Sequence, residues 1–259
     1  MKPMSYEIIT IPCLEDNYVF IIANTATREA AIIDAPVAAP INAAFATRPD
    51  LKLTTVLLTH HHWDHVDGVP GLDGASDLTI IGCAADEARL PALTKGVTAG
   101  DEIEVCGLKV NVMLAEGHTL NHIAFYVPEI SAVFTGDSLM THGCGRLFEG
   151  TPAQMQAAMQ GFAALPDETR SYCGHNYADA NMAFAKLYAP DELALQQRLS
   201  ELDTKRAAQE STTGVTLALE KKLNPYLRVH LPEVKACLNL AGADDNVVFA
   251  EIRARKDKF

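Results

Sequence analysis

Short apolar runs separated by polar turns fill the first two thirds of the chain. Runs rich in β-branched and aromatic residues favour strands, and apolar residues at helical spacing favour helices. The pattern predicts strands over residues 6–11, 18–22, 30–33, 54–58, 78–81, 103–105, 108–114, 123–127 and 132–134. It predicts helices over residues 38–48 and 84–90. Strands mixed with intervening helices place this part of the chain in the α/β or α+β class.

The composition is that of a globular protein, and it argues against several classes of function. With 259 residues, of which 48% are hydrophobic, the chain can bury a sizeable core. It has no apolar run of about 18 residues and no N-terminal apolar segment, so we expect neither a membrane partner nor a signal peptide. A net charge of −12 disfavours nucleic acid as a partner. The six cysteines form no C-x-x-C pair, which predicts reduced thiols in the cytoplasm.

A dense cluster of histidines follows the predicted strand over residues 54–58. His60 and His62 are two positions apart, so an extended loop aims both imidazoles to the same side. If a helix begins at Asp64, the side chains of Asp64 and His65 diverge and can serve a second ion. The spacing His-x-His-x-Asp-His therefore predicts a site for two metal ions rather than one.

Three further strand ends carry a metal-binding type of side chain directly after a glycine. These residues are His118, Asp137 and His175. A carboxylate offers two oxygens and can bridge two cations, so Asp137 is the candidate bridge. We expect these strand ends to deliver their side chains to one shared site with the histidine loop.

Metal-bound imidazoles usually need a partner for their second nitrogen, and the sequence offers candidates for that role. His122 and Asp67 could orient ligands, and we interpret His122 as structural rather than as a ligand. Asp34 ends the predicted strand over residues 30–33, and two interpretations stay open for it. It is either a turn residue before Pro36 or a partner of the histidine loop.

The residue types indicate the metal and the chemistry. Histidine with aspartate suits Zn²⁺ better than Mg²⁺ or Ca²⁺, which prefer oxygen ligands, and iron or manganese are alternatives. Two divalent ions with Asp64, Asp137 and a bridging hydroxide leave a net positive site that can stabilise an oxyanion. Such a site hydrolyses an acyl or phosphoryl bond without an amino-acid nucleophile. The motif alone does not identify the bond.

The order and spacing of these motifs resemble the metallo-β-lactamase superfamily. Within it, further segments resemble glyoxalase II, the hydroxyacylglutathione hydrolases, across essentially the whole chain. These segments are Asp16-Asn17-Tyr18, residues 143–150, His175-x-Tyr177, residues 224–228 and residues 255–259. The superfamily motif is specific for the fold and the metals but says little about the substrate. The glycine-cysteine-glycine segment and the basic C-terminus are what point to the glyoxalase II family within the superfamily.

The resemblance implies an α+β fold: an αββα metallo-β-lactamase-like sandwich over residues 1–173 and a helical C-terminal substrate-binding domain over 174–259. The local pattern agrees, because it predicts helices over 179–187, 190–210, 232–240 and 244–256 without strand-like runs. The resemblance also implies the ligand sets. One metal would be held by His60, His62 and His118, the other by Asp64, His65 and His175, with Asp137 bridging. Asp64 and Asp137 would hold the bridging hydroxide.

The same resemblance implies which residues contact glutathione. They are Arg146, Phe148, Tyr177, Arg253 and Lys256. A basic pair one helical turn apart, Arg253 and Lys256, suits a carboxylate such as the glycine end of glutathione. The alternative is that these two residues belong to a solvated, charged helix end.

The expected reaction is hydrolysis of S-(2-hydroxyacyl)glutathione thioesters, typically S-D-lactoylglutathione to D-lactate and glutathione. The hydroxide attacks the carbonyl carbon, and glutathione leaves as a thiolate. Because the reference pKa of a thiol is about 8.5, the thiolate is a good leaving group and no general acid is required to protonate it. The partner is then a small molecule, and we expect a monomer. Alternatives are a glutathione persulfide dioxygenase with one iron, a lactonase or β-lactamase, and a binding or scaffold module without activity.

Overall fold

The computed structural model describes residues 6–188 and 192–259. Its strands are β1 Tyr6–Cys13, β2 Asn17–Asn24, β3 Glu29–Ile33, β4 Lys52–Leu57, β5 Thr79–Cys83, β6 Lys95–Val97, β7 Glu102–Val105, β8 Leu108–Leu114, β9 Ile123–Val127, β10 Ala132–Gly136, β11 Leu139–Met140, β12 Gly143–Cys144, β13 Arg170–Cys173 and β14 Val215–Thr216. Its α-helices are α1 Ala38–Ala46, α2 Trp63–Val66, α3 Pro152–Ala163, α4 Ala178–Ala185, α5 Glu192–Ala208, α6 Leu217–Leu223, α7 Pro232–Cys237 and α8 Asp245–Lys256. Short 3-10 helices cover Val69–Gly71, Ala75–Asp77, Ala84–Arg89, Pro128–Ile130 and Pro225–Leu227.

The chain divides into two compact units. One consists of residues 1–114 and 123–134, and the other of residues 115–122 and 135–259. This division follows spatial contacts rather than chain order, and the predicted domain boundary between residues 173 and 174 stays a prediction.

Two sheets lie face to face in the first unit. The first has the order β1-β2-β3-β4-β5-β6, antiparallel up to β3 and parallel from there on. The second contains antiparallel β7, β8, β9 and β10. Successive side chains of a strand point to opposite faces. Phe20 of β2 faces the second sheet, its ring 5.6 Å from that of Phe134 on β10, whereas Ile21 joins Ile41 of α1 in a buried cluster on the other face.

The parallel pairing of β3 and β4 brings two polar chain segments to the same edge of the first sheet. Ile33 pairs with Leu57, so Asp34 and the loop that begins after β4 leave the sheet side by side. Asp34 has a left-handed backbone conformation, with a φ of 61°, which aspartate tolerates better than most residues. The chain therefore turns sharply there and presents the carboxylate to the loop.

Strand ends also meet in the second unit. The backbone N–H of Gly174 donates to the carbonyl of Gly136 at 2.9 Å, so the end of β10 lies beside the end of β13. Asp137 and His175 follow directly after these two glycines. The topology thus delivers both side chains to one edge.

The helical prediction for the C-terminal part is largely confirmed, with one correction. The helices α4, α5, α7 and α8 fall within or near the predicted ranges, and residues 190 and 191 of the predicted helix 190–210 lie outside the described residues. The predicted absence of strands after residue 173 is wrong, because β14 pairs with β13. Two residues are too short to produce a recognisable alternation. The sequence prediction also missed α6.

Helix α3 was not predicted either, although its N-terminus carries a recognisable signal. The Thr151 hydroxyl accepts from the backbone N–H of Gln154, and the Gln154 side chain accepts from the backbone N–H of Thr151. This reciprocal capping box is typical of helix starts. Within the described ranges, none of the helices combines the length and the apolar character needed to cross a membrane.

Candidate metal centre and its surroundings

The loop after β4 brings four predicted ligands together within the first unit. His60 Nε2 lies 3.1 Å from His62 Nδ1, and His65 Nε2 lies 3.8 Å from Asp64 Oδ2. The loop is extended up to His62, which has a φ of −60° and a ψ of 141°, and α2 starts at the next residue. The helix considered for Asp64 onward is therefore present, and it begins one residue earlier, at Trp63.

Asp34 orients this loop through hydrogen bonds to two of its residues. It accepts from the backbone N–H of Thr59 at 2.8 Å, from the Thr59 hydroxyl at 2.8 Å and from His65 Nδ1 at 2.8 Å. Its side chain is buried, so these bonds replace the lost hydration of the carboxylate. Of the two interpretations left open for Asp34, both hold: it makes the turn and it orients a predicted ligand.

These hydrogen bonds also fix which imidazole nitrogens are available. The Thr59 hydroxyl donates to Asp34, so its oxygen accepts from His60 Nδ1 at 3.0 Å. In a neutral ring this puts the proton on Nδ1 and makes Nε2 the acceptor, for His60 and for His65 alike. The lone pair of His65 Nε2 faces the carboxylate of Asp64. Two acceptors turned toward each other fit a cation between them, which supports a metal in this donor set.

Asn17 is a functional candidate that the residue-by-residue reasoning missed. Its side-chain amide donates to the backbone carbonyl of Asp64 at 2.9 Å and to Asp64 Oδ2 at 3.2 Å. It lies at the start of β2, 47 positions before Asp64 in the chain. Hydrophobic periodicity and short motifs cannot predict a contact between residues so far apart in the chain. Asn17 does lie in the segment Asp16-Asn17-Tyr18, on which the family resemblance partly rests.

The second unit brings the other three predicted ligands together. Asp137 Oδ2 lies 3.3 Å from His118 Nε2 and 3.2 Å from His175 Nε2. His118 Nδ1 donates to the carbonyl of Arg146 at 2.7 Å, so the lone pair of its Nε2 faces the Asp137 carboxylate. The arrangement of acceptor against acceptor found in the first unit is repeated here, and it fits a cation in the same way.

His122 holds the backbone of Asp137 rather than joining the ligands. Its Nε2 accepts from the backbone N–H of Asp137 at 3.2 Å, which agrees with the structural interpretation of His122. Asp67, the other candidate partner, is exposed. Each of the seven predicted metal ligands belongs to a group of His and Asp side chains that could hold a metal ion.

Gly145 lies against two of these residues. Its backbone N–H donates to the carbonyl of Ser138 at 3.0 Å. A Cβ at this position would overlap the carbonyl oxygen of Asp137 and lie 3.2 Å from His118 Nδ1. Only glycine allows the backbone to approach so closely, and the approach puts the next carbonyl, that of Arg146, within reach of His118.

Two of the predicted glutathione contacts are aromatic residues next to predicted metal ligands. The ring of Phe148 lies 5.2 Å from that of His118 in a T-shaped arrangement. The ring of Tyr177 stacks on that of His175 at 4.9 Å. Phe148 is 61% exposed and Tyr177 is 40% exposed, so each presents part of an aromatic ring to solvent beside a predicted ligand.

The three predicted basic contacts differ in how much of their charge is available. Arg253 is buried and donates to Asp257 Oδ1 at 2.7 and 3.0 Å and to the carbonyl of Cys144 at 3.0 Å. Arg146 is exposed, with its Nε 3.9 Å from the same carboxylate oxygen.

Lys256 is the third basic contact. It donates to the carbonyl of Ala180 at 2.9 Å and lies over the rings of Phe184 and Phe259 at 5.4 and 5.2 Å. Burial lowers the pKa of its ammonium group. An ammonium group has three donors, so donors remain for a ligand after the bond to Ala180.

Replacing Asp34 by Asn should weaken metal binding by about 10- to 100-fold, the usual cost of losing a partner that orients a ligand. The new side-chain amide N–H₂ group of the asparagine would replace one carboxylate oxygen, which now accepts hydrogen bonds from Thr59 or His65. A donor would then face a donor. Zinc affinity, measured by competition with a chelator, checks the prediction. Asp77→Asn, an exposed change in the same unit, serves as the control, and equal affinities for the two variants would contradict the role assigned to Asp34.

Comparisons with known proteins cover nearly the whole chain. The family model for the metallo-beta-lactamase superfamily matches residues 14–175, and the model for the hydroxyacylglutathione hydrolase C-terminus matches residues 176–259. A hydroxyacylglutathione hydrolase of Ruegeria pomeroyi is 48% identical, covering 99% of this chain and all of the relative. One of a Jannaschia species is 48% identical, covering 98% of each chain.

Among solved structures, ETHE1 from Myxococcus xanthus is similar, with a TM-score of 0.63 and 25% identity over 98% of each chain. This likeness supports the fold. The full-length relatives carry more weight for function, because one fold hosts many activities.

Proposed function

Since this chain belongs to the hydroxyacylglutathione hydrolase family of the metallo-β-lactamase superfamily, we propose that it hydrolyses S-(2-hydroxyacyl)glutathione thioesters. S-D-lactoylglutathione, which gives D-lactate and glutathione, is the substrate with which to test this. The observation that carries the proposal is the match to relatives of that name over nearly the full chain. Such a match includes both the metal-ligand segments and the C-terminal helices.

The chain is a metal-dependent enzyme, and we propose two divalent ions arranged as the sequence predicted. One would be held by His60, His62 and His118, the other by Asp64, His65 and His175, with Asp137 shared between them. The donor chemistry supports this, because the Nε2 lone pairs of His65 and His118 face the carboxylates of Asp64 and Asp137. Zinc suits nitrogen-rich donors best, and iron and manganese are the alternatives.

Bound divalent ions lower the pKa of a coordinated water and polarise a carbonyl group. The protein's own contribution is to hold the donors. Asp34 and Thr59 keep the protons of two imidazoles on Nδ1, and the Arg146 carbonyl does the same for His118. Asp64 and Asp137 would orient the attacking water. The leaving thiolate, with a pKa of about 8.5, departs without a dedicated acid.

We propose that glutathione is bound by the five predicted residues, with distinct roles. Phe148 and Tyr177 would pack against the tripeptide with their exposed faces, and Arg146 and Lys256 would attract its carboxylates. Arg253 is already committed to Asp257 and to the Cys144 carbonyl, so its role would be to hold the wall of the pocket.

The change Lys256→Ala should raise the KM for S-D-lactoylglutathione about tenfold or more while kcat changes little. A hydrogen bond to a charged group contributes about 1.5–3 kcal/mol, and 1.4 kcal/mol corresponds to tenfold in affinity. The single change tests substrate binding more directly than a double change that includes Arg253. Arg253 is buried and also stabilises the fold, so its loss would affect more than substrate binding. Steady-state kinetics check the prediction, with exposed Lys258→Ala as the control.

A thioester of D-lactate with N-acetylcysteamine, which lacks the carboxylates of glutathione, separates substrate contact from general damage. The KM for this compound should be the same in the Lys256→Ala variant and in the unchanged protein. An equal loss on both substrates would contradict a glutathione contact at Lys256.

The decisive experiment measures hydrolysis of S-D-lactoylglutathione together with metal content per chain. Thioester hydrolysis with two metal ions per chain supports the proposal. Oxygen consumption with glutathione persulfide and a single iron would favour the dioxygenase instead. Turnover of lactones or β-lactams without thioesterase activity would favour another hydrolase of the fold, and inactivity with an empty site after zinc soaking would favour a binding module.

We also propose that the chain acts as a monomer in the cytoplasm. All six cysteines are thiols, and five of them are buried. Burial raises the pKa of Cys13 to about 11 and that of Cys144 to about 11, so these thiols stay protonated and unreactive at neutral pH. Reduced cysteines of this kind suit a reducing compartment.

A further inference from the structure

A buried polar cluster in the second unit lies outside both the metal ligands and the predicted glutathione contacts. Its members are His142 in the turn between β11 and β12, Arg198 on α5, Glu220 on α6 and Asn224 after α6. Their exposed fractions are 2% or less. Charged groups are rarely buried without partners, because the loss of hydration must be compensated. The sequence reasoning singled out none of the four for a role.

Glu220 and Asn224 bind the backbone of the β11–β12 turn. Both carboxylate oxygens of Glu220 lie 3.1 Å from the backbone nitrogen of His142, which donates to them. The side-chain amide of Asn224 donates to Glu220 Oε2 at 3.0 Å and to the carbonyl of Gly143 at 2.9 Å. The end of α6 thus holds the peptide group before His142 and the peptide group after Gly143, and we call Glu220 and Asn224 the α6 clamp.

The clamped residue has an unfavourable backbone conformation. His142 has a φ of 56°, in the left-handed region that β-carbon sterics disfavour. Such a conformation persists when the surroundings hold it in place. The bonds from the α6 clamp to the backbone on either side of this residue supply that constraint.

Arg198 completes the cluster and fixes the protonation of His142. Arg198 Nε donates to His142 Nε2 at 2.9 Å, so the proton of the imidazole is on Nδ1, 3.3 Å from Glu220 Oε1. Burial, together with the charge of Arg198, lowers the pKa of His142 to about 3, and the ring is therefore neutral. The two groups of this cluster that hydrogen-bond to Glu220, the His142 backbone N–H and the Asn224 side-chain amide, are both donors, which suits a carboxylate.

The clamped turn leads directly to the candidate metal centre. Gly145 and Arg146 follow Gly143 by two and three positions. Gly145 donates to Ser138, and the Arg146 carbonyl accepts from His118 Nδ1 at 2.7 Å. The segment 142–146 is thus held at one end by the α6 clamp and at the other by a metal ligand.

We propose that Glu220 and Asn224 are positioning residues, which fix the segment 142–146 so that the Arg146 carbonyl orients His118 and the Arg146 side chain faces the glutathione site. This inference deepens the proposed function and rests on it. The C-terminal helices would then do more than contact the substrate, because α6 would also determine how well one metal ligand is held.

The change Glu220→Gln tests the proposal in the full-length chain. It keeps the shape of the side chain but sets an amide N–H₂ group against donors. We expect zinc affinity to fall about tenfold or more, within the range for lost orienting partners, and the KM for S-D-lactoylglutathione to rise. Hydrogen exchange at the amide of His142 should speed up in the metal-free protein. Glu201→Gln is the matched control, since exposed Glu201 pairs with Arg198 without touching the turn.

The pH dependence distinguishes positioning from a general loss of stability. Burial raises the pKa of Glu220 to about 7, and the charged or titratable groups near it are Arg198, His142 and Cys173. Of these, His142 and the buried Cys173 stay neutral around pH 7, because burial lowers the pKa of His142 and raises that of Cys173. As the pH falls through 7, Glu220 takes up a proton and loses an acceptor position. The ratio of the variant's KM to the unchanged protein's KM should therefore approach one at low pH.

A second variant and a measurement that does not depend on catalysis complete the test of the α6 clamp. If Glu220→Gln does not fold, Asn224→Ala is the second variant. It removes the donor to Gly143 and Glu220 and also the side-chain oxygen that accepts from the Tyr226 backbone N–H. It should give the same effects on zinc affinity, KM and His142 exchange in weaker form. If the unchanged protein does not hydrolyse the thioester, the proposed function fails, while zinc affinity and amide exchange still test the clamp. Active protein whose variants lose only thermal stability, with unchanged zinc affinity, KM and His142 exchange, would overturn the inference.

Discussion

Replacing Asp137 by Asn should lower the turnover of S-D-lactoylglutathione more than about a hundredfold and leave the chain with less than its full metal content. The carboxylate oxygen lies 3.3 Å from His118 Nε2 and 3.2 Å from His175 Nε2. An amide removes the negative charge with which Asp137 would neutralise the two cations that are proposed to share it. Loss of a residue that only orients a metal ligand lowers metal affinity or activity about 10- to 100-fold. Loss of a ligand that two ions share should therefore lower them further. Kinetics and metal analysis of the same preparation check this.

Asp167→Asn is the matched control for the Asp137 variant. Asp167 lies in the same unit and makes an ion pair with Lys221, but it is largely exposed, and exposed pairs contribute little. The control should keep full activity and metal content. If Asp137→Asn behaved like the control, the bridging role would be wrong.

The change Gly145→Ala should be nearly as damaging, although it introduces only a methyl group. The new Cβ would overlap the carbonyl of Asp137 and approach His118 Nδ1, so the backbone must shift. That shift withdraws the Arg146 carbonyl from His118. We expect kcat/KM to fall by about 10- to 100-fold through the loss of an orienting partner. Overpacking costs about 1–3 kcal/mol, which also lowers the melting temperature by several degrees.

Gly74→Ala separates the local clash from the general cost of replacing a glycine. Gly74 has a φ of 72°, and an added Cβ there would meet open space. This control should lose some stability through backbone strain but keep its zinc affinity and kcat/KM. Unchanged kinetics in Gly145→Ala would show that the close approach of this segment is not needed for activity.

The family and the α+β metallo-β-lactamase-like fold were predicted correctly from the sequence, because the informative residues are close together in short motifs. Apolar runs mark most strands, and the spacing of His60, His62 and His65 carries its own geometric meaning. The two-residue strand β14 was missed. The segment Ala84–Arg89 was predicted as an ordinary helix and is a 3-10 helix. Short elements contain too few residues to show a period.

The partners of the ligands were less predictable than the ligands themselves. Asp34 was left between two interpretations, because its role depends on the register of β3 and β4. Asn17 and Glu220 act on residues 47 and 78 positions away. Local patterns carry no information about such pairs, which depend on how the elements pack. The ligand sets for each ion and the domain boundary at residues 173 and 174 stay predictions.

Arg146 combines two tasks in a single residue: its carbonyl binds a predicted metal ligand, while its side chain is a proposed glutathione contact. Two binding events that share one residue are linked thermodynamically, and linkage acts equally in both directions. Whatever factor the cations add to the retention of glutathione, glutathione adds to the retention of the cations. If the proposed function holds, removing the metal ions should weaken glutathione binding, and a high glutathione concentration should protect the metal centre against chelators.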